Sequence, residues 1–201
     1  MQTIVITGPS GSGKSYLANK ISEDFKSTII INTDSYYRDN LFIKLLSIFM
    51  NDIYDRLISI KKIHLLKTIE SIYCNENHIT LYNYDFKTKK STESIRKKLN
   101  KIQLIIVEGV FSHRIKLNYK SSLNILCKEK KEICYKRRLK RDELERGRNK
   151  KEVIQKFTKS WNLYFKNVDN YINRNDIYEL KYIDSKSYKS LITKITELDS
   201  H

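Results

Sequence analysis

One glycine-rich segment near the start of the chain restricts the fold more than any other feature. Residues 8–15 read Gly-Pro-Ser-Gly-Ser-Gly-Lys-Ser and fit the pattern G-x-x-x-x-G-K-[ST]. A β-branched run at residues 3–6 precedes the segment, and a helical pattern at residues 14–25 follows it. In this strand–loop–helix context the loop wraps its backbone N–H groups around the phosphates of a nucleotide. The sequence therefore predicts a triphosphate-binding loop.

Glycine and proline are scarce, so their placement is informative. The chain has 5 glycines and 1 proline among 201 residues. Three glycines and the proline lie in the loop, Gly109 follows an apolar run, and Gly147 interrupts an arginine-rich helical segment. Glycine marks backbone positions with special conformational demands. We therefore expect these three segments to build one phosphate site.

Short apolar runs predict a parallel sheet, because continuous apolar strands are typical of sheets covered by helices on both faces. Besides the first strand, strands are expected at residues 28–31, 104–107 and 123–126, with a shorter one at 182–183. Residues 40–101 have a mostly helical pattern with a hairpin near residues 79–86. The predicted fold is α/β, with three layers, a central parallel sheet, a small β-hairpin insertion and an arginine-rich helical lid.

Length and composition indicate one folded domain over residues 1–201. The chain is 40% hydrophobic and 31% charged, which suits a single buried core. No apolar run reaches the roughly 18 residues needed to cross a bilayer. Met1 leads directly into the first strand, which leaves no room for a signal peptide. We expect a cytoplasmic protein that makes no membrane contact.

Cysteine and histidine spacing gives no sign of a disulfide framework or a zinc site. The three cysteines lack C-x-x-C spacing, and the four histidines form no ligand pattern. We expect reduced, structural cysteines and no metal held by histidine.

The formal charge of +16 raises the question of a nucleic-acid partner, since a basic surface attracts phosphates from any source. Lysine, isoleucine, asparagine and tyrosine are abundant throughout the chain, which indicates a global compositional bias. We therefore expect no nucleic-acid partner.

Two acids follow predicted strands. Asp34 comes after the second strand, and Glu108 comes directly after residues 104–107. Doubly wound sheets bind ligands at the carboxyl ends of their strands, so both acids should lie beside the loop. Glu108 suits a magnesium site, and Asp34 suits a base that accepts the substrate's hydroxyl proton. The alternative for each acid is that it caps the following helix.

Residues 128–151 form a basic helical segment. At about 100° per residue, Arg138, Arg141 and Glu145 lie within roughly 60° of one another on one side. Arg146 and Arg148 flank Gly147, which predicts a hinge or a helix end and a lid at residues 136–152. An arginine delivered to a phosphoryl-transfer transition state contributes on the order of 10³ to 10⁵ in rate. The alternative is a solvated helix face.

Together these segments resemble the uridine kinase (uridine–cytidine kinase) family from about residue 4 to residue 177. Beyond the loop, four segments carry the resemblance in the family's order: residues 33–38 (Thr-Asp-Ser-Tyr-Tyr-Arg), 81–88 around Tyr-Asp-Phe, 106–109 (Ile-Val-Glu-Gly) and 137–148, which end in Glu-Arg-Gly-Arg. The resemblance implies a P-loop kinase fold. It also implies Mg²⁺-dependent transfer of a γ-phosphoryl group from ATP or GTP to the ribose 5′-hydroxyl of a pyrimidine nucleoside, in pyrimidine salvage. A homotetramer is implied as well.

The resemblance also implies residue roles. The catalytic set would be Asp34, Lys14, Arg141 and Arg146. Magnesium would be held by Ser15, Asp34 and Glu108. The donor nucleotide would contact Gly8, Ser10, Gly11, Ser12, Gly13, Lys14, Ser15 and Tyr16. The nucleoside would contact Asp34, Tyr37, Asp55, Tyr84, Phe86, Lys89, Arg138, Arg148 and Gln155.

Two positions depart from the family's pattern. Lys89 stands where the family has a base-reading histidine, and Arg56-Leu57 replaces a His-Pro pair. A lysine ammonium only donates hydrogen bonds, so it suits uracil O4 and opposes the cytosine amino group. We expect a preference for uridine over cytidine. The alternatives are a kinase for another small alcohol, such as nicotinamide riboside or pantothenate, and a nucleotide- or RNA-binding module without turnover.

Overall fold

A five-stranded parallel sheet forms the centre of the molecule. The computed structural model describes residues 1–50, 53–97, 102–117, 122–173 and 176–198, apart from the side chains of Asp55, Arg96 and Lys97. The sheet has the strand order β2-β5-β1-β6-β7. In chain order its strands are β1 (Gln2–Thr7), β2 (Thr28–Asn32), β5 (Leu104–Glu108), β6 (Leu123–Cys127) and β7 (Ile177–Leu180). A separate antiparallel hairpin joins β3 (His78–Asp85) to β4 (Lys90–Lys97).

Helices cover both faces of the sheet, as the continuous apolar runs predict. They are α1 (Lys14–Asp24), α2 (Leu41–Phe49), α3 (Lys62–Tyr73), α4 (Lys131–Arg146), α5 (Lys150–Ile172) and α6 (Ser185–Leu198). Along β5, Leu104 and Ile106 face a core shared with α1 and α6, whereas Ile105 and Val107 face a second core shared with α3. Side chains alternate across a strand, so one buried run serves two cores. The α/β prediction with a central parallel sheet is confirmed.

The first four predicted strands match β1, β2, β5 and β6 to within a residue or two, and the first helix matches α1. The prediction of a strand at residues 182–183 is wrong, since the last strand is β7. β7 is an edge strand that pairs with β6 alone. Its sequence, Ile-Tyr-Glu-Leu, therefore includes exposed positions and lacks the continuous apolar signal of the inner strands.

The predicted hairpin near residues 79–86 is also misplaced, because almost all of that range is the single strand β3. The chain turns at residues 86–89 and returns as β4, which pairs from Asp85↔Lys90 to His78↔Lys97. Most of β4 is exposed and polar, with the sequence Lys-Ser-Thr-Glu-Ser-Ile-Arg-Lys, so it carries almost no apolar pattern. The helical part of the insertion is present as α2 and α3.

All three cysteines are free thiols, and Cys127 and Cys134 are buried. Among the described residues no group of three or more histidine, cysteine, aspartate or glutamate side chains is arranged to hold a metal ion. In the same residues, no helix combines the length and apolarity that a membrane span requires.

Candidate functional site

The glycine-rich loop leaves β1 and enters α1 at the carboxyl edge of the sheet, and it is packed too tightly for larger residues. Gly11 and Gly13 have φ values of 88° and 92°, a region that side chains disfavour. A Cβ on Gly11 would collide with the carbonyl oxygen of Cys134 on α4. A Cβ on Gly8 would lie 2.8 Å from the carbonyl oxygen of Cys127. The loop is therefore wedged between β6 and α4 with its N–H groups at a helix N-terminus, which is an anion-binding arrangement.

Lys14 lies inside this loop. Its side chain is buried, and Nζ donates a hydrogen bond of 3.0 Å to the carbonyl oxygen of Pro9. The loop's own backbone thus holds the ammonium group at its centre, where it can bind phosphate as a point charge.

Two carboxylates lie beside the loop because β2 and β5 are neighbours in the sheet. Asn32 and Glu108 are partners in the register of these strands, and Asp34 follows two residues later. The side chain of Asn32 accepts a 2.7 Å hydrogen bond from the backbone N–H of Asp34, which fixes the turn. Gly109, with φ 145°, has no side chain where Thr33 packs against it. The close approach of these strand ends places both acids in the wall of the same cavity.

The carboxylates have an arrangement that fits a cation. The Ser15 hydroxyl donates a 3.0 Å hydrogen bond to Oε1 of Glu108. Asp34 Oδ1 is buried and has no hydrogen-bond partner among the described residues. Burial raises the pKa of Glu108 to about 7; Lys14 and the Ser15 hydroxyl oppose the rise, and the Asp34 charge adds to it. Uncompensated oxygens beside a hydroxyl are donors that Mg²⁺ prefers.

The basic helix α4 forms the opposite wall of this phosphate cavity. Arg141 Nη2 donates to Oγ of Ser10 at 3.2 Å, and Arg137 Nη1 donates to the carbonyl oxygen of Gly11 at 3.4 Å. The cavity encloses about 250 Å³ and is lined by Ser10, Gly11, Gly13, Lys14, Ser15, Tyr16, Asp34, Glu108, Val110, Arg137 and Arg141. Apart from the two acids, the charged groups that line this cavity are cations.

A second cavity lies between the hairpin, α2 and the lid. It is lined by Tyr37, Ser47, Tyr54, Tyr84, Phe86, Lys89, Arg138, Arg146, Arg148 and Lys156. The ring of Tyr37 lies 5.3 Å from that of Tyr84, which lies 5.1 Å from that of Phe86. The guanidinium of Arg146 lies 3.7 Å from the centre of the Phe86 ring. Aromatic walls with cations at the rim suit a flat, polar ring system.

The two cavities share charged neighbours. Burial and the nearby Arg141 lower the pKa of Arg146 to about 10, and the Asp142 and Asp34 carboxylates oppose this. Arg146 therefore stays protonated at neutral pH. It belongs to the wall of the aromatic cavity while lying near enough to feel the charge of Asp34 in the phosphate cavity.

Gly147 ends α4 and turns the chain toward α5. Its φ is 63°, and its N–H group bonds to the carbonyl oxygen of Asp142. Of the two predicted roles, hinge or helix end, the structure has the helix end. Asn149 then caps α5 by accepting from the N–H of Glu152 at 2.9 Å.

Two of the residues predicted for the nucleoside pocket, Gln155 and Asp55, are not found among the described residues that line the aromatic cavity. Gln155 is exposed on α5 and is not among the residues that line the aromatic cavity, so its contact with a nucleoside stays a prediction. The neighbouring Lys156 occupies that wall, since successive helix residues point about 100° apart. Asp55 ends a short 3₁₀ turn, Ile53–Asp55, but its side chain lies outside the described residues.

Several wall residues were missed by the sequence analysis. Ser47, Tyr54 and Lys156 join the aromatic cavity only through tertiary packing. Asp142, with 0% of its side chain exposed, meets four arginines. The sequence indicates these ion pairs, because Asp142 is an acid within an arginine-rich stretch and has arginines at i−4 and i+4.

The chain is similar in sequence to a known protein family. A sequence profile described as "Phosphoribulokinase / Uridine kinase family" matches residues 3–179. A protein named uridine kinase from Borrelia duttonii (strain Ly) is 30% identical over 165 residues, which cover 80% of this chain and 76% of that protein. One of the same name from Mannheimia succiniciproducens is 30% identical over 169 residues, with coverages of 78% and 74%.

Two solved structures share the fold. One is described as "a Possible Uridine Kinase from Bacillus stearothermophilus", with a TM-score of 0.60 and 17% identity over 88% of this chain and 86% of that chain. The other is the YGR205w protein, with a TM-score of 0.61 and 16% identity over 92% and 86% of the two chains.

Proposed function

The chain belongs to the phosphoribulokinase/uridine kinase family, and from this premise we propose that it phosphorylates the 5′-hydroxyl of a pyrimidine nucleoside, with uridine as the preferred acceptor. Membership makes it a P-loop phosphotransferase. The acceptor and its role in pyrimidine salvage are the proposed part. The relatives named uridine kinase support that choice.

The observation that carries the proposal is an aromatic cavity beside the phosphate cavity. Tyr84 and Phe86 offer ring faces for a base, and Arg146 lines this cavity near enough to Asp34 to interact with its charge. A nucleoside with its base against the rings would direct its ribose toward Asp34. Holding acceptor and donor in line is the main task of a phosphotransferase, because its transition state needs alignment more than covalent help.

On the donor side, the residues of the loop bind the triphosphate of ATP or GTP. The backbone N–H groups of residues 8–15 surround the phosphates, and Lys14 contacts the β- and γ-phosphates. Arg141 lies on the opposite side and can neutralise charge that develops on the transferring group. Tyr16 lies at the mouth of the cavity, 60% exposed, where the donor can pass.

The fit of the two acids to a cation supports a magnesium site made by Ser15, Asp34 and Glu108. When bound there, Mg²⁺ would neutralise negative charge on the donor's phosphates. Glu108 holds the Ser15 hydroxyl in place through their 3.0 Å hydrogen bond.

On the acceptor side, Asp34 takes the proton of the 5′-hydroxyl as that oxygen attacks the γ-phosphorus. Its Oδ1 has no hydrogen-bond partner among the described residues and is free to accept one. Tyr37 donates to the carbonyl oxygen of Tyr54 at 2.8 Å, which fixes the ring that supports Tyr84. Asp55 is proposed to hold the ribose hydroxyls, and Arg138 and Arg148 complete the wall.

Lys89 determines the base preference in this proposal. It occupies the hairpin turn with φ 55° and lines the aromatic cavity. Its ammonium can donate to uracil O4 and has no acceptor for the cytosine amino group. We therefore propose uridine as the preferred acceptor nucleoside.

A substrate panel tests the proposal. Purified protein with MgATP or MgGTP is offered uridine, cytidine, nicotinamide riboside and pantothenate, and phosphorylated products are identified by ³¹P NMR and mass spectrometry. We expect uridine 5′-monophosphate as the main product. A product from nicotinamide riboside or pantothenate alone would reassign the acceptor. No turnover with any acceptor, together with RNA binding that weakens steeply as salt rises, would indicate a binding module instead.

A further inference from the structure

One buried carboxylate on α4 is surrounded by arginines. Asp142 is 0% exposed, and its oxygens lie between 2.8 and 3.5 Å from nitrogens of four guanidinium groups. The four partners are Arg138, Arg141, Arg146 and Arg148. Burial acts to raise the pKa of Asp142, but the nearby arginines outweigh it and hold the pKa below its ordinary value. The group is therefore a permanent anion at neutral pH.

The carboxylate oxygens bind arginines of both cavities. Oδ1 accepts from Arg141 at 2.8 Å, and Arg141 also reaches Ser10 in the phosphate loop. Oδ2 accepts from Arg148 at 2.8 Å, and Arg148 lines the aromatic cavity.

The remaining two partners both line the aromatic cavity, one on each carboxylate oxygen. Arg146, on Oδ1, packs on Phe86 and lies near Asp34. Arg138, on Oδ2, donates to the Ser160 hydroxyl on α5 and lines the aromatic cavity. One side chain thus links the lid, the phosphate loop, the aromatic wall and α5.

The backbone of the same residue holds the end of the lid. The carbonyl oxygen of Asp142 accepts hydrogen bonds from the N–H groups of Gly147 and Arg148. This pattern closes a helix whose next residue is in the left-handed conformation. It also fixes the point from which Arg148 extends toward the carboxylate.

We propose that Asp142 is a positioning residue that couples donor binding to acceptor binding. It holds Arg141 toward the phosphate loop and Arg148 toward the aromatic cavity in one network. When a bound triphosphate attracts Arg141, the Asp142 carboxylate pairs more strongly with Arg148 and Arg138. These two arginines are then held in place in the wall of the aromatic cavity. The idea rests on the proposed function for the identity of the acceptor, and its geometry is independent of that identity.

The test is a linkage measurement on the full chain. Calorimetry gives the dissociation constant of uridine, or of whichever acceptor the substrate panel identifies, with and without a non-hydrolysable ATP analogue and Mg²⁺. The variants are Asp142→Asn, which removes the charge at constant shape, and Glu143→Gln, a control at an exposed acid on the same helix. Wild type and control should show a coupling factor of about 5 to 150, the usual range for linked sites. In Asp142→Asn it should fall to within about twofold of one.

The result that overturns the proposal is wild-type coupling in a folded Asp142→Asn protein, or no coupling in the wild type. A merely structural ion pair would lower the melting temperature of Asp142→Asn and leave its coupling factor unchanged. If Asp142→Asn does not fold, Asp142→Glu decides, because it keeps the charge and displaces it by one methylene. Full coupling in Asp142→Glu would contradict a positioning role, and reduced coupling would support it.

Failure of the proposed function can be told apart from failure of this inference. If no acceptor supports turnover, the proposed function fails, and binding of the ATP analogue alone still decides the role of Asp142. Trp161, the single tryptophan, follows Ser160 on α5, which accepts from Arg138. Its emission should change on nucleotide binding in the wild type and in Glu143→Gln, and stay constant in Asp142→Asn. Equal changes in all three proteins would overturn the inference.

Discussion

Glu108 combines burial with a position at the end of the inner strand β5. It is 2% exposed, and the hydrophobic sheet around it disfavours a charge. Lys14 and the Ser15 hydroxyl are its favourable partners, while Asp34 repels it. Without a cation the carboxyl is thus poorly stabilised as an anion, which explains a pKa near 7.

This shift gives a pH dependence of stability in metal-free protein. A carboxyl whose pKa rises from 4.5 to about 7 on folding stabilises the fold below pH 4.5, and the contribution is lost as pH rises through 7. Denaturant unfolding in chelator should therefore show the wild type losing stability relative to Glu108→Gln between pH 4.5 and pH 7. The loss should reach about 3 kcal/mol, at roughly 1.4 kcal/mol per pKa unit. A difference that stays constant or grows with pH would contradict the account.

Lys89 gives a second prediction at this scale. Its φ of 55° is one that histidine tolerates better than most residues, so Lys89→His should fold. The wild type should favour uridine over cytidine in kcat/KM by about 10- to 100-fold, the range for a hydrogen bond to a charged group. The variant should narrow this ratio. Lys87→His, at an exposed position in the same turn, is the control. Comparable wild-type values for the two nucleosides would remove Lys89 from base selection.

Individual residues differ in how far the sequence can place them. The loop residues and Glu108 follow from local pattern, because their positions depend on a strand end and a motif of fixed spacing. The place of Gln155 does not, and neither does the full burial of Asp142, although its arginine partners at i−4 and i+4 do. Which residue of α5 faces the cavity, and which acid becomes fully buried, depends on how α4 packs against α5 and the hairpin.

At the scale of elements, the end of α4 determines the shape of the lid. Gly147 adopts φ 63°, and no atom outside its immediate neighbours lies within 4 Å of a Cβ built there. A side chain at position 147 would therefore add only the intrinsic free-energy cost of the left-handed backbone. A Cβ at position 11 would in addition collide with α4.

These two glycines form a matched pair for mutation. Gly147→Ala should lower the free energy of unfolding by about 1 to 2 kcal/mol and leave nucleotide binding intact. Gly11→Ala should abolish nucleotide binding, because the loop must move away from Cys134. Denaturant unfolding and calorimetric titration with MgATP measure both effects. Loss of nucleotide binding in Gly147→Ala, or its retention in Gly11→Ala, would show that the loop and the lid end are wrongly assigned.

Strands that are buried on both faces of the sheet could be predicted from the sequence. Inner strands are apolar throughout, so β1, β2, β5 and β6 were found from the sequence. Exposed strands carry weak signals, and both β4 and β7 were missed or shifted for that reason. The helix α4 was expected from its pattern, and Gly147 was expected to be either a hinge or the helix end.

At the scale of the whole molecule, the topology brings three distant segments to one edge of the sheet. The loop after β1, the acids after β2 and β5, and the lid between β6 and β7 meet because parallel strands end together. Each motif follows a strand of the parallel sheet, so a common site is predicted although the motifs are far apart in the sequence. The side-chain geometry between the lid and the hairpin becomes visible only once these layers are assembled.

Nucleotide binding should stabilise the whole fold. At 100 times its dissociation constant, MgATP should raise the free energy of unfolding of the wild type by about 2.7 kcal/mol. In Lys14→Ala the gain at the same concentration should be much smaller, because the ammonium within the loop is lost. Lys26→Ala, an exposed lysine beyond α1, is the control. Equal stabilisation of all three proteins would mean that the nucleotide binds outside the loop.

The most direct test of phosphoryl transfer to a nucleoside at this site is the rate of ADP release from MgATP with and without uridine, in the wild type and in Asp34→Asn. We expect uridine-dependent release in the wild type. In Asp34→Asn, kcat should fall by roughly 10² to 10⁴, the scale of a general base, while ATP still binds. ADP release at the same rate with and without uridine would contradict phosphoryl transfer to a nucleoside, and an unchanged kcat in Asp34→Asn would contradict the role of Asp34 as the base.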